Sequence, residues 1–156
     1  MAPKKKSDRI IGWREILTLP ELTYVPINAK IDTGARTSAL HAFDLRVENI
    51  DGLRTVIFEI HPLQRSSEKA RLVTMPLHRF RKVKSSSGQT ELRPSIITTA
   101  VLGPVSWPIE LTLTARDAMG FRMLLGRSAL RRRFLINPSR SYIVTDKPRP
   151  KDPTTP

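Results

Sequence analysis

Between residues 10 and 145 apolar positions recur mostly at every second residue, with valine, isoleucine and threonine prominent among them. That period turns one face of an extended chain toward a core and the other toward water, so it predicts strands. The run IIGWREILTLP reads as a first strand ending at Pro20, and YVPINAKI as a second. ALHAFDLRVENI is a third, closed by Asp51-Gly52, a pair suited to a tight hairpin turn, and LRTVIFEIHPL returns antiparallel to it. After the polar loop QRSSEKA, the runs RLVTMPLHRFRKVK and TELRPSIITTAVLG flank the tip SSSG, Ser85 to Gly88. They predict a basic hairpin whose flexible tip suits a lid. SWPIELTLTA is another strand, and MLLG a short apolar run ending in glycine. RSALRRRF looks helical, and FLINPSRSYIV reads as two closing strands across a Pro-Ser turn. No internal repeat is visible. The prediction is an all-β single domain over residues 10–145 with one short helix near its end. The charged, proline-rich stretches 1–9 and 146–156 are expected to be disordered tails.

Composition narrows the chemistry. A chain of 156 residues can bury a real core. It has no cysteine, which removes disulfides, thiolate metal sites and cysteine nucleophiles together. No apolar run approaches the roughly 20 residues of a membrane span. The start, MAPKKKSDRIIGW, lacks a signal-type apolar stretch, so the expected location is cytoplasmic. The formal net charge is +13. Lys4, Lys5, Lys6 and Arg9 against Asp8 contribute +3, and the segment from Asp146 contributes +1, leaving +9 in the predicted domain. A domain so basic should attract polyanions: nucleic acid, a ribosome or an acidic peptide.

Three histidines, His41, His61 and His78, lack the ligand spacing of a zinc site. There is neither a Gly-x-Ser-x-Gly elbow nor a glycine-rich phosphate loop, so the expectation is no cofactor and no metal. What remains is AKIDTGARTSALHA, where an apolar strand ends in Asp32-Thr33-Gly34 and then turns basic. A carboxylate at a strand tip is either a turn cap or a reactive group.

Asp32-Thr33-Gly34, with the apolar run Leu124-Leu125-Gly126 far downstream, resembles the retropepsin-like aspartic peptidases. Longer blocks in the same order (GWRE, LPEL, AKIDTGARTSALHA, ELRPSI, WPIELTLTARDAMGFRMLLGRSAL, INPSRS) are similar to a bacterial branch of that fold. That branch was once named ATP-dependent zinc proteases and is associated with RimK-type glutamate ligases. The old name's zinc and ATP find no matching residues here. The resemblance implies a retropepsin-like closed β-barrel with a flap hairpin and one short C-terminal helix. It makes Asp32 the catalytic residue, supported by Thr33, Gly34, Leu124, Leu125 and Gly126, with the flap around Ser85 to Gly88.

Such chemistry needs two carboxylates sharing one proton, and this chain has one Asp-Thr-Gly. The dyad is therefore expected from a homodimer, with a two-fold axis between the two Asp32 residues. Asp117 is the alternative second carboxylate, its ordinary fate being a turn cap. Viral relatives commonly carry an acidic residue where this chain has Arg36, facing an arginine where it has Arg127. Two arginines cannot neutralise one another. Either a local carboxylate such as Glu15 or Asp117 satisfies them, or an acidic substrate does. Arg81, Lys84, Ser86 and Gly88 of the hairpin complete the expected substrate-binding set. The expected function is an aspartic endopeptidase acting on an acidic segment, such as a glutamylated ribosomal protein, in company with a glutamate ligase. The alternative is a catalytically silent basic module that binds peptide or regulates a ligase or ribosome. Nucleic-acid binding is poorly supplied, because Phe80 alone interleaves aromatic surface with the basic hairpin.

Overall fold

The computed structural model describes residues 9–63, 66–85, 87–116 and 120–145. The expected tails, apart from Arg9, lie outside these, as do Ser86 and Asp117. The alternating runs form β1 (Ile10–Gly12), β2 (Arg14–Leu17), β3 (Ile27–Asp32), β4 (Ser38–Ile50), β5 (Leu53–Ile60) and β6 (Arg71–Pro76). They continue as β7 (Arg79–Lys84), β8 (Thr90–Leu102), β9 (Val105–Thr114), β10 (Met123–Gly126), the helix α1 (Arg127–Leu130) and β11 (Leu135–Asn137). The described chain is thus all-β with one short helix, as the alternation predicts.

The main sheet runs β2-β3-β10-β4-β9-β8-β7, and β5 and β6 extend from β4 as a side ladder. Period-two burial is clean where a strand has one core face. In β3, Ile27, Ala29 and Ile31 point inward while Asn28, Lys30 and Asp32 lie on the other face. In β9, Trp107, Ile109 and Leu111 are buried and Glu110 faces away. These side chains meet Leu17, Leu40, Phe58, Ile96 and Leu113 in one core, each fully buried aliphatic side chain stabilising by roughly 1.5–3 kcal/mol. Among the described residues the strands do not form a continuous closed ring, an arrangement still compatible with the expected barrel. The sheet curls until Thr18, just past β2, meets Val101 of β8 through two backbone hydrogen bonds of 2.9 Å.

The first predicted strand is two strands, because its halves have different partners. β1 pairs with β11 in parallel, while β2 pairs antiparallel with β3. Asp51 and Gly52 both take positive φ and turn β4 into β5, as the sequence predicts. The helix is shorter than RSALRRRF suggested, and Arg132 at φ 63° follows its end in a left-handed conformation. The second closing strand, SYIV, is absent. Its donors are divided instead of forming a ladder: the Tyr142 N–H goes to the Arg14 carbonyl, the Ile143 N–H goes to the buried Glu15, and the Thr145 hydroxyl just beyond also donates to Glu15. The Gly12 N–H donates to Glu15 as well, so this side chain fastens the C-terminal segment across β1 and β2. No helix among the described residues is long and apolar enough to cross a membrane.

Candidate active site

Asp32 is the last residue of β3, and the following loop leads into β4. β10 is inserted between these two consecutive strands, parallel to β3 and antiparallel to β4. The register sets Gly126 beside Asp32 and Leu125 beside Ile31. Leu125 is fully buried and Leu124 is half-buried, and the apolar run lies beside the Asp32 strand.

Backbone hydrogen bonds lock the loop to β10 and α1. Arg127 N–H donates to the Ala35 carbonyl at 2.7 Å and Ser128 N–H to that of Arg36 at 3.0 Å. Gly126 N–H donates to the Ser38 hydroxyl oxygen at 3.0 Å, and the Thr112 hydroxyl donates to the Ser38 carbonyl at 2.7 Å. Within the loop, Gly34 N–H donates to Asp32 Oδ1 at 3.0 Å. A loop tied at so many points holds its carboxylate in one place before any ligand arrives. Ser38 and Thr112 carry part of this and were not legible, since a serine beside an apolar run has no distinctive signal.

Asp32 opens into a cleft of about 570 Å³, shared with Gly34, Arg36, Arg81, Lys84 and Leu124. The hairpin β7–β8 forms its far wall through residues 81–85 and Arg93. At the hairpin tip, Ser85 and Gln89 are joined backbone to backbone, and Gly88 has φ 88°, a conformation that favours glycine. Gly88 lies at the exposed tip and is not among the residues lining the cleft. Thr33 is exposed, and its carbonyl accepts a 2.9 Å bond from Arg127 Nη1. Arg127 thus braces the loop and does not line the cleft.

The hairpin's positive charge is partly spent. Arg81 forks onto Glu110, with Nε and Nη2 each 2.7 Å from a carboxylate oxygen, and Arg93 pairs with Glu91 at 3.1 Å. The Arg81 fork is the main reason that the Glu110 carboxyl is held below the usual range, and the same bonds push Arg81 up. Glu110 is a second carboxylate facing the hairpin, and the alternation of β9 had already put it on the face away from the core. Arg36 has no acceptor among the described residues. Glu15 is not its partner, because Glu15 is committed to Gly12, Ile143 and Thr145. Among the described residues there is no group of three or more His, Asp or Glu side chains placed to hold a metal. The assembled chemistry is one fixed carboxylate in a basic groove beneath a hairpin.

A family model described as RimB-like, "Retropepsin-like aspartic endopeptidase RimB", matches residues 10–147. Curated relatives are named probable alpha-L-glutamate ligase. The protein from Parasynechococcus marenigrum is 46% identical over 137 residues, covering 88% of this chain and 29% of that one. The one from Shewanella pealeana is 41% identical over 138 residues, covering 88% of this chain and 30% of that one. The chain therefore spans less than a third of the length of these relatives. A crystal structure of a Legionella pneumophila protein of unknown function superposes with a TM-score of 0.69 at 23% identity, covering 89% of this chain and all of that one. This last likeness is one of fold.

Proposed function

The chain belongs to the RimB-like family of retropepsin-like aspartic endopeptidases, and from that membership we propose that Asp32 cuts peptide bonds in partnership with the Asp32 of a second copy. The observation that carries the proposal is a single Asp-Thr-Gly loop, tied down on both sides, with Asp32 lining the cleft. One loop per chain calls for a two-fold axis to supply the other carboxylate. Two carboxylates within hydrogen-bonding distance hold one proton between them. The ionised member takes a proton from water as the oxygen attacks the scissile carbonyl carbon, and the protonated member hydrogen-bonds the carbonyl oxygen. The tetrahedral intermediate then breaks its C–N bond as a proton passes to the leaving amine. The dyad ends with the one proton it began with.

The substrate we propose is an acidic protein segment, glutamate-extended, in a cytoplasmic setting. Arg36, Lys82 and Lys84 line the cleft without a carboxylate of their own among the described residues, and a basic cleft raises the local concentration of acidic peptide. A RimK-type glutamate ligase as the source of such extensions agrees with the names of the relatives. Those names also favour a second reading, in which the domain only presents an acidic chain to a ligase.

Cleavage of a glutamate-extended peptide, followed by mass spectrometry, separates the two. Wild type should cut it, with or without EDTA, and Asp32→Asn should bind it and leave it whole. Binding without cleavage by wild type would select the presenting module.

A further inference from the structure

Behind the cleft lies a second cavity of about 240 Å³, unremarked by the motif and closed on one side by α1. Arg36 and Arg81 line both spaces, so the two share a wall. The rest of its polar lining comes chiefly from Glu110, Ser128 and Arg133, with Trp107 as apolar wall. The volume is far above the ~15 Å³ that admits one water and below the roughly 300–1,000 Å³ of drug-sized sites. It suits one side chain.

Its charge is lopsided: among the described residues three guanidinium groups face one carboxylate. Glu110 is taken up by the Arg81 fork, which makes that pair a fixed wall. The Trp107 indole N–H is committed to the Ala129 carbonyl at 3.1 Å, so the ring offers its carbon surface and no donor. Arg133 lies over that ring, 5.8 Å from its centroid, and has no carboxylate among the described residues. Arg36 has none either. Two cations without counterions among the described residues, lining a side-chain-sized space with an apolar wall, suit methylenes ending in a carboxylate.

We propose that this cavity is a side-chain subsite for a glutamate of the peptide lying in the cleft, with Arg36 and Arg133 as the groups that receive its carboxylate. The assignment rests on the peptide-binding reading of the cleft, and it does not require that the bond be cut. Arg133 becomes a specificity-determining residue that the catalytic motif does not mark.

The test uses the full chain carrying Asp32→Asn, which removes turnover from the measurement. A fluorescent glutamate-run peptide and a series with single Glu→Gln replacements are titrated against it by anisotropy. One position in the series should cost about tenfold in affinity, because the neutral amide leaves both guanidiniums without a counterion. Adding Arg133→Met should abolish that one penalty and keep the smaller penalties elsewhere, and Arg133→Lys should restore most of it. Arg36→Met gives a second, independent reading if Arg133→Met fails to fold, as judged by thermal melting. Equal penalties at every position, unchanged by both variants, would overturn the subsite. So would displacement of the peptide by inorganic phosphate at equal charge concentration. Failure of wild type to cut the same peptide would count against the peptidase reading alone.

Discussion

A methyl group on Gly126 would sit 2.6 Å from both the carbonyl carbon and oxygen of Thr37 and 3.0 Å from the Ala35 oxygen. All three contacts are backbone, so nothing flexible can yield. Gly126→Ala should therefore cost at least about 2 kcal/mol in urea unfolding and displace the Asp32 loop. A stability within about 0.5 kcal/mol of wild type would mean that β10 and the loop are not held this closely. Glu110 sets a different expectation. Its carboxyl is held low chiefly by the Arg81 fork, so its contribution is complete above the ordinary carboxylate pKa and is lost as pH falls through the lowered folded value. Glu110→Gln should cost about 1 kcal/mol near neutrality, and that gap should close on acidification below the roughly 4.3 of a free glutamate. A gap that stays constant with pH would deny the ion pair its part.

Each element shows which features the sequence could announce. The Asp32 loop, the run Leu124-Leu125-Gly126 and the Asp51-Gly52 turn are local, written in adjacent residues, and they fold as read. The hairpin β7–β8 is also where the basic residues predict it, with Arg81 opposite Arg93 across the ladder. What escaped depends on partners distant in the chain. The break at Trp13 exists because β1 finds β11 and β2 finds β3, and alternation along one segment carries no trace of that choice. SYIV reads as a strand until Glu15, 128 residues before Ile143, takes the Ile143 N–H out of any ladder. The neutralisation of Arg81 by Glu110 and the second cavity behind Arg36 likewise arise only when β7, β9 and α1 come together.

For the whole molecule, the proposed dimer carries an electrostatic consequence. Any two-fold axis that brings two Asp32 carboxylates together also brings together two copies of Arg36 and Arg127, both exposed. Their repulsion is screened beyond the ~8 Å Debye length of physiological salt. Self-association should thus be weak at low ionic strength and strengthen with added salt or with polyglutamate, read as mass by light scattering or sedimentation. Association that falls steadily with salt, and is indifferent to polyglutamate, would point to a different interface. The central claim is that each of two chains contributes one Asp32, and mixing tests it most directly. Wild type is blended with an equal amount of Asp32→Asn at a fixed total concentration where chains are fully paired, and cleavage of a glutamate-extended peptide is measured. If the dyad is built from two copies, random pairing leaves about one quarter of the pairs intact, and activity should fall to about a quarter of that of wild type. Activity that falls only to about one half would show each Asp32 working without its twin, and would contradict the account.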